Sequence, residues 1–252
     1  MVRKSVEHHR YGLRAITLNS IPVDDLDALR QALNDTEALL LDFDGPICSV
    51  FSSIPAKYIA EQLRRILRDS ARINLPIDIQ VTVDPFDVFR YAATISDDEA
   101  HKIERALTEY ETKAIAAARA TVGSNELIRH WHDSGKSLAV VSNNSRSAID
   151  SYLSAAEISN CVSFVSARDS HDPALLKPNP HKVTLAVKHL RVDPSRCALL
   201  GDSPSDVVAA RASRVHSIAY AKRKSAILPL SQAEPDLIVT SIEIVKQSVL
   251  SL

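Results

Sequence analysis

The chain has 252 residues, of which 45% are hydrophobic and 24% charged, and its formal net charge is -1. That length accommodates one large domain or a core carrying a smaller insert, and so little net charge gives no overall field to recruit nucleic acid or an anionic membrane. Cys48, Cys161 and Cys197 are far apart, odd in number and outside any CxxC pairing, which argues against a disulfide framework or a zinc site and for a reducing, cytoplasmic setting.

Residues 1–19 mix charges throughout and read as a basic N-terminal tail, with no secretory apolar core; no apolar run reaches the span of a membrane helix. Ser20 to Leu33 reads as a short amphipathic helix, with Pro22, Asp24 and Asp25 in its first turn and Val23, Leu26, Leu29 and Leu33 along one side. Leu39 to Ile47, LLLDFDGPI, follows as a buried strand that ends in two acids one residue apart, Asp42 and Asp44, and then a glycine. From Phe51 to about Thr121 the character changes. Ala56 to Ala71, Pro85 to Ile95 and Asp97 to Ala118 all have helical spacing, with Ile59, Leu63, Ile66 and Leu67 on one face of the first and Ser96 as N-cap of the third. A helical block between two strands of an α/β pattern is expected to be an inserted lid. Arg64, Arg65, Arg68 and Arg72 within it read as a solvated face.

The α/β rhythm resumes at Gly123. Ser124 is placed to cap a helix burying Leu127, Ile128 and Trp131, and Ser137 to Val141 is a strand of the buried parallel kind ending in Ser142, Asn143 and Asn144. A helix from Ser145, a strand from Cys161 to Val165 and a loop containing Lys177, Pro178, Asn179 and Pro180 come next. A further helix follows, and then a strand from Cys197 to Leu200 that runs into Gly201, Asp202, Ser203, Pro204, Ser205 and Asp206. Ser217 to Tyr220 and Leu237 to Thr240 are the remaining strands, with a closing helix from Ile242.

If these strands form one parallel sheet, their polar ends gather along a single edge, where open α/β sheets bind ligands. Asp42, Asp44, Asp202 and Asp206 would then crowd together, and carboxylates so placed repel unless a cation joins them. Oxygen ligands with no His or Cys cluster point to magnesium in preference to zinc. Lys177 and the donors of Ser142 and Asn143 supply an anion site beside it, the combination of a phosphoryl-transfer centre.

DFDG, the strand ending in Ser142-Asn143, the KPNP lysine and GDSPSD, in this order, resemble the four motifs of the haloacid dehalogenase-like (HAD) hydrolase superfamily. The resemblance runs from about Leu39 to Thr240, and the insert is similar to the small helical cap of phosphoglycolate phosphatase-like members. It implies a Rossmann-like parallel core, residues 20–53 and 122–252, with an all-helical cap at 54–121. It also implies a magnesium-dependent phosphatase acting on a small phosphorylated metabolite. Asp42 would be the nucleophile that forms an aspartyl-phosphate, and Asp44 the acid and base. Asp42, Asp202 and the Asp44 carbonyl would hold Mg2+, with Asp206 acting through water or on Lys177. Ser142, the Asn143 amide and Lys177 would hold the phosphoryl oxygens. Pro46 departs from the threonine usual at that position and loses a hydroxyl and an N–H, which leaves the local turn open. A phosphomutase, a dehalogenase and a non-catalytic phospho-ligand sensor are the alternatives; oligomeric state and substrate are not encoded legibly.

Overall fold

The computed structural model describes residues 21–250, so the basic tail of residues 1–19 lies outside the described residues. Helix α1 spans Leu26–Asp35 and is capped by Asp25, whose carboxylate accepts from the backbone N–H groups of Asp27 and Ala28. It begins later than its apolar spacing predicts. Val23 instead forms a parallel bridge with Ile238, and Asp24, at φ 51°, accepts from the Thr240 backbone N–H and hydroxyl.

Strand β1 (Ala38–Leu41) is central to the sheet. After it, β2 (Cys48–Ser49) pairs antiparallel with β3 (Arg119–Ala120), a two-stranded ribbon at the base of the insert that the sequence did not announce. Between them lie α2 (Ala56–Ala71), a short α3 (Ile77–Val81), α4 (Pro85–Ile95) and α5 (Asp97–Ile115). These helices pack around their own apolar cluster, including Ile59, Leu63, Leu67, Val88, Phe89, Ile103 and Leu107. Helix α5 ends at Ile115, three residues before the predicted Ala118, and Ser96 caps it through the Glu99 N–H as expected.

Helix α6 (Ser124–Asp133) takes Gly123, at φ +82°, as its N-cap, so Ser124 is its first residue instead of its cap, and the Ser124 hydroxyl is buried without a partner among the described residues. Then come β4 (Ser137–Ser145), α7 (Arg146–Ala155) and β5 (Phe164–Arg168). The strand predicted at Cys161–Val165 is displaced because Ser159–Cys161 closes a 3-10 turn first. After α8 (His181–Leu190), β6 (Cys197–Gly201) and α9 (Pro204–Ala212) carry the fourth motif. The chain finishes with β7 (His216–Tyr220), α10 (Lys224–Gln232), β8 (Leu237–Val239) and α11 (Ile242–Val249). Helix α10 contains Pro229, a residue that argues against a helix when only the sequence is read.

The sheet order is β5-β4-β1-β6-β7-β8 and every pairing in it is parallel. Leu40 sits in register with Ala139 on one side and Leu199 on the other. Alternation then sends Leu39, Leu41, Leu138, Val140 and Leu200 to one apolar layer and Ala38, Leu40, Val141 and Leu199 to the other. Each fully buried Leu or Ile of these faces stabilises the fold by about 1.5–3 kcal/mol. Strand order reverses at β1, so the crevice beyond the carboxyl ends of β1, β4 and β6 is where this topology places a ligand.

Candidate active site

Asp42 follows β1 directly and its N–H donates to Leu200 O at 2.9 Å, which ties the first motif to the end of β6. Its Oδ1 accepts from Phe43 N at 2.8 Å and lies 2.8 Å from Lys177 Nζ, while Oδ2 has no partner among the described residues. Burial pushes this carboxyl above its ordinary value, Lys177 pulls it down, and Asp206 pushes it up again.

Asp44 Oδ1 accepts from Val50 N at 2.9 Å. Burial raises its carboxyl to about 6, against the opposing pull of the Val50 N–H and of Lys222. The turn between them is intact despite Pro46. Gly45 N donates to Cys48 O at 2.7 Å, and the Thr121 hydroxyl donates to Gly45 O at 2.5 Å, so no N–H at position 46 is called upon. Gly45 itself is obligatory, since its φ is +109° and a Cβ there would lie 2.1 Å from Asp202 Oδ2.

Lys177 is almost wholly buried. Its ammonium donates to Val141 O at 3.0 Å and forms ion pairs with Asp42 Oδ1 at 2.8 Å and Asp206 Oδ1 at 2.5 Å. The two carboxylates outweigh the penalty of burial and hold the lysine charged. The loop carrying it is pinned by Asn143, whose side-chain carbonyl accepts from Lys177 N at 2.8 Å and whose amide donates to Lys177 O at 3.3 Å. The sequence read Asn143 as an amide donor to the anion; its side chain here is engaged in orienting the lysine loop. Ser142 exchanges hydrogen bonds with Asn144, donating to Oδ1 at 3.1 Å and accepting from Asn144 N at 3.2 Å.

Asp206 has two roles. Its Oδ2 closes a capping box with Ser203 at the start of α9, and Oδ1 faces Lys177. Asp202 has no hydrogen-bond donor or ion-pair partner among the described residues. Burial and the charges of Asp42, Asp206 and Asp44 raise its carboxyl to about 8. Carboxylate oxygens of Asp42, Asp202 and Asp206 all lie within 4.8 Å of one another. An acid with no donor, set among other acids, fits a hard divalent cation. The chain therefore brings Asp42, Asp44, Ser142, Asn143, Lys177 and Asp202 to one cavity of about 210 Å³, with Asp206 immediately behind Lys177.

Asp84, Phe86 and Arg90, from the start of α4, and Asn144 also line that cavity and were not singled out from the sequence. The pairing of Asp84 with Pro85 was legible only as a helix start. None of Arg64, Arg65, Arg68 or Arg72 lines it.

Residues 77–220, more than half of the chain, match the family model described as haloacid dehalogenase-like hydrolase. The chain belongs to that family. The matched segment holds the second, third and fourth motifs of the HAD-like hydrolases and begins after Asp42 and Asp44. A bifunctional riboflavin kinase/FMN phosphatase of Arabidopsis thaliana is 28% identical over 191 residues, 73% of this chain, which spans about half (48%) of that protein's length. Among solved structures, a predicted phosphatase of Clostridium acetobutylicum superposes with a TM-score of 0.64 at 18% identity, covering 86% of this chain and 99% of that one. A beta-phosphoglucomutase of Clostridium difficile does so with a TM-score of 0.60 at 16% identity, covering 86% and 98%. At such identities these structures establish the HAD-like α/β fold. No helix among the described residues is long and apolar enough to cross a membrane.

Proposed function

We propose that this HAD-like hydrolase is a magnesium-dependent phosphatase that hydrolyses a small phosphate monoester through an aspartyl-phosphate on Asp42. The observation that carries the reading is the placement of Lys177 between Asp42 and Asp206, with donor-free Asp202 on the same cluster of oxygens. Asp42 Oδ1 is occupied by Lys177 and the Phe43 N–H, so Oδ2 is the oxygen that attacks phosphorus. Asp44, held by the Val50 N–H through Oδ1 and raised toward 6, has Oδ2 to protonate the leaving alkoxide and then to take a proton from the attacking water.

Ser142 and the backbone beyond it would orient the phosphoryl oxygens, and Lys177 would act through its charge while remaining bonded to Asp42. Side chains of Asp42 and Asp202, with the carbonyl of Asp44, would hold magnesium; Asp206 fixes Lys177. When bound, the ion supplies charge neutralisation for the phosphoryl group as it transfers. Residues 54–121 are read as the cap that excludes bulk water, over a core of residues 20–53 and 122–252. The reaction that tests this is hydrolysis of p-nitrophenyl phosphate with magnesium. The protein should turn it over, Asp42→Asn should lower turnover by at least about 10³-fold, and equal activity in that variant would remove Asp42 from the mechanism.

A further inference from the structure

Helix α4 and its cap contribute three groups to the cavity that the aspartates line: Asp84, Phe86 and Arg90. Asp84 Oδ1 is committed to the Phe86 N–H at 2.8 Å as the helix cap, and Oδ2 is left facing Arg90 Nη1 at 4.0 Å. Arg90 Nη1 is bonded to Asp87 Oδ1 at 3.0 Å, and Asp87 Oδ2 accepts from the Thr82 hydroxyl at 2.7 Å. The guanidinium is thus shared between two acids while its Nε and Nη2 retain donors. The wall offers the second oxygen of Asp84 and the uncommitted N–H groups of Arg90 near one another, with two carboxylates set against one guanidinium.

From this arrangement we infer that the substrate is the phosphate ester of a small neutral polyol, with leaving-group hydroxyls donating to Asp84 Oδ2 and accepting from Arg90. The inference rests on the phosphatase reading and names its substrate class. A hydroxyl both donates and accepts, so it satisfies both partners at once. A leaving group bearing a carboxylate would confront Asp84 with only an already shared guanidinium to offset it. One bearing an ammonium would have to displace Arg90 Nη1, 4.0 Å away, to reach Asp84 Oδ2. The cavity favours a compact leaving group: about 210 Å³ is below the roughly 300–1,000 Å³ that encloses a drug-sized molecule, and the phosphoryl group takes part of it. The hydrolysed bond is the P–O ester; phosphoryl passes to Asp42 and then to water, and the polyol leaves with the proton from Asp44.

The test is kcat/KM of the full chain with magnesium for glycerol phosphate, ribose phosphate, phosphoglycolate, phosphoethanolamine and FMN, with p-nitrophenyl phosphate as a calibrant. The polyol esters should exceed the other three natural esters by at least about tenfold. Turnover of p-nitrophenyl phosphate with phosphoglycolate, phosphoethanolamine or FMN equal to or better than the polyol esters overturns the substrate class alone. No turnover of any ester overturns the phosphatase reading beneath it. Asp84→Asn keeps a cap acceptor and frees Arg90, so the phosphoglycolate-to-glycerol phosphate ratio should rise about tenfold. Arg90→Gln should raise the phosphoethanolamine ratio instead. Unmoved ratios in both variants overturn the assignment of these side chains. Calorimetric titration of Asp42→Asn gives a readout free of turnover: ribose phosphate should bind more tightly than phosphoglycolate, and the reverse order overturns the proposal.

Discussion

Arg168, at the end of β5, makes a two-point ion pair with Glu111 of helix α5, Nη2 to Oε2 at 2.9 Å and Nη1 to Oε1 at 3.1 Å, with both side chains essentially excluded from solvent. Arg168 Nη1 also donates to Asn143 O at 2.8 Å, and Glu111 accepts from Asn144 Nδ2 at 3.0 Å and Ser145 N at 2.9 Å. An insert helix is therefore fastened to the second-motif loop through buried charge. Removing one partner strands the other in a low-dielectric site, at a cost of about 3–5 kcal/mol. Glu111→Ala should lose that much stability in urea unfolding. Replacing both residues by methionine should cost less than the two single replacements added together, because no charge is then stranded alone, and a double replacement as damaging as the sum of the singles would show the pair does not act as a unit.

The close approach of Gly45 to Asp202 gives a second prediction. In Gly45→Ala the methyl group would overlap Asp202 Oδ2 at a backbone φ of +109°, and both the carboxylate and the turn would have to shift. Backbone strain of about 1–3 kcal/mol is expected. Because displacement of about 1 Å at a reacting centre costs on the order of 10²-fold in rate, hydrolysis of p-nitrophenyl phosphate should fall by that factor while far-UV circular dichroism stays native. Full activity in the variant would contradict the close packing of Gly45 on Asp202.

Most of the core and the acid and lysine positions were legible because their signals are local. Asp42 and Asp44 interrupt a buried strand, Asp202 and Asp206 do the same after Leu200, and α2 and α4 begin and end where their apolar spacing says. What escaped depended on contacts between distant residues. Arg168 lies three residues past the strand read at Cys161 to Val165 and carries no signal of its own until Glu104 and Glu111, some sixty positions earlier, are brought beside it. The start of α1 was misread because Val23 and Asp24 are drawn to β8 and the loop after it, an interaction across the whole chain. Asp84, just before Pro85, and Arg90, inside the Pro85 to Ile95 helix, carry no site signal in sequence, and only the fold sets them along the cavity that the aspartates line.

A general acid matters in proportion to the basicity of the group it protonates. Asp44→Asn should therefore cost about 10²–10⁴-fold on an alkyl phosphate, whose alkoxide needs the proton, and far less on p-nitrophenyl phosphate, whose phenolate leaves unaided. Steady-state rates on the two esters check this. Equal losses on both would assign Asp44 a structural role through the Val50 N–H instead.

Magnesium held at the unpartnered carboxylate of Asp202, as proposed, would be a stabilising ligand of the folded chain. A ligand at 100 times its dissociation constant adds about 2.7 kcal/mol to stability. Thermal unfolding should move upward on addition of magnesium and return with a chelator. Asp202→Asn should be largely insensitive to both, and a wild-type midpoint that ignored magnesium would remove the cation from this cluster.

Lys182 on α8 is a buried cation whose one hydrogen-bond acceptor among the described residues is Ala167 O at 2.8 Å. Burial lowers its pKa to about 8, with Asp169 opposing and Arg168 reinforcing the shift. Below pH 8 the native and unfolded chains both carry this proton, and the native state bears the cost of the buried charge. Between about 8 and the ordinary lysine value of 10.5 the unfolded state binds more protons, so the stability contributed by this group rises with pH. Lys182→Met should therefore be more stable than the wild type at pH 7, by about 1–2 kcal/mol once the lost bond to Ala167 O is counted. That advantage should shrink as the pH approaches 10. Unfolding midpoints of the two proteins at several pH values between 7 and 10 check it, and a constant difference across that range would mean the ammonium is not destabilised where it lies.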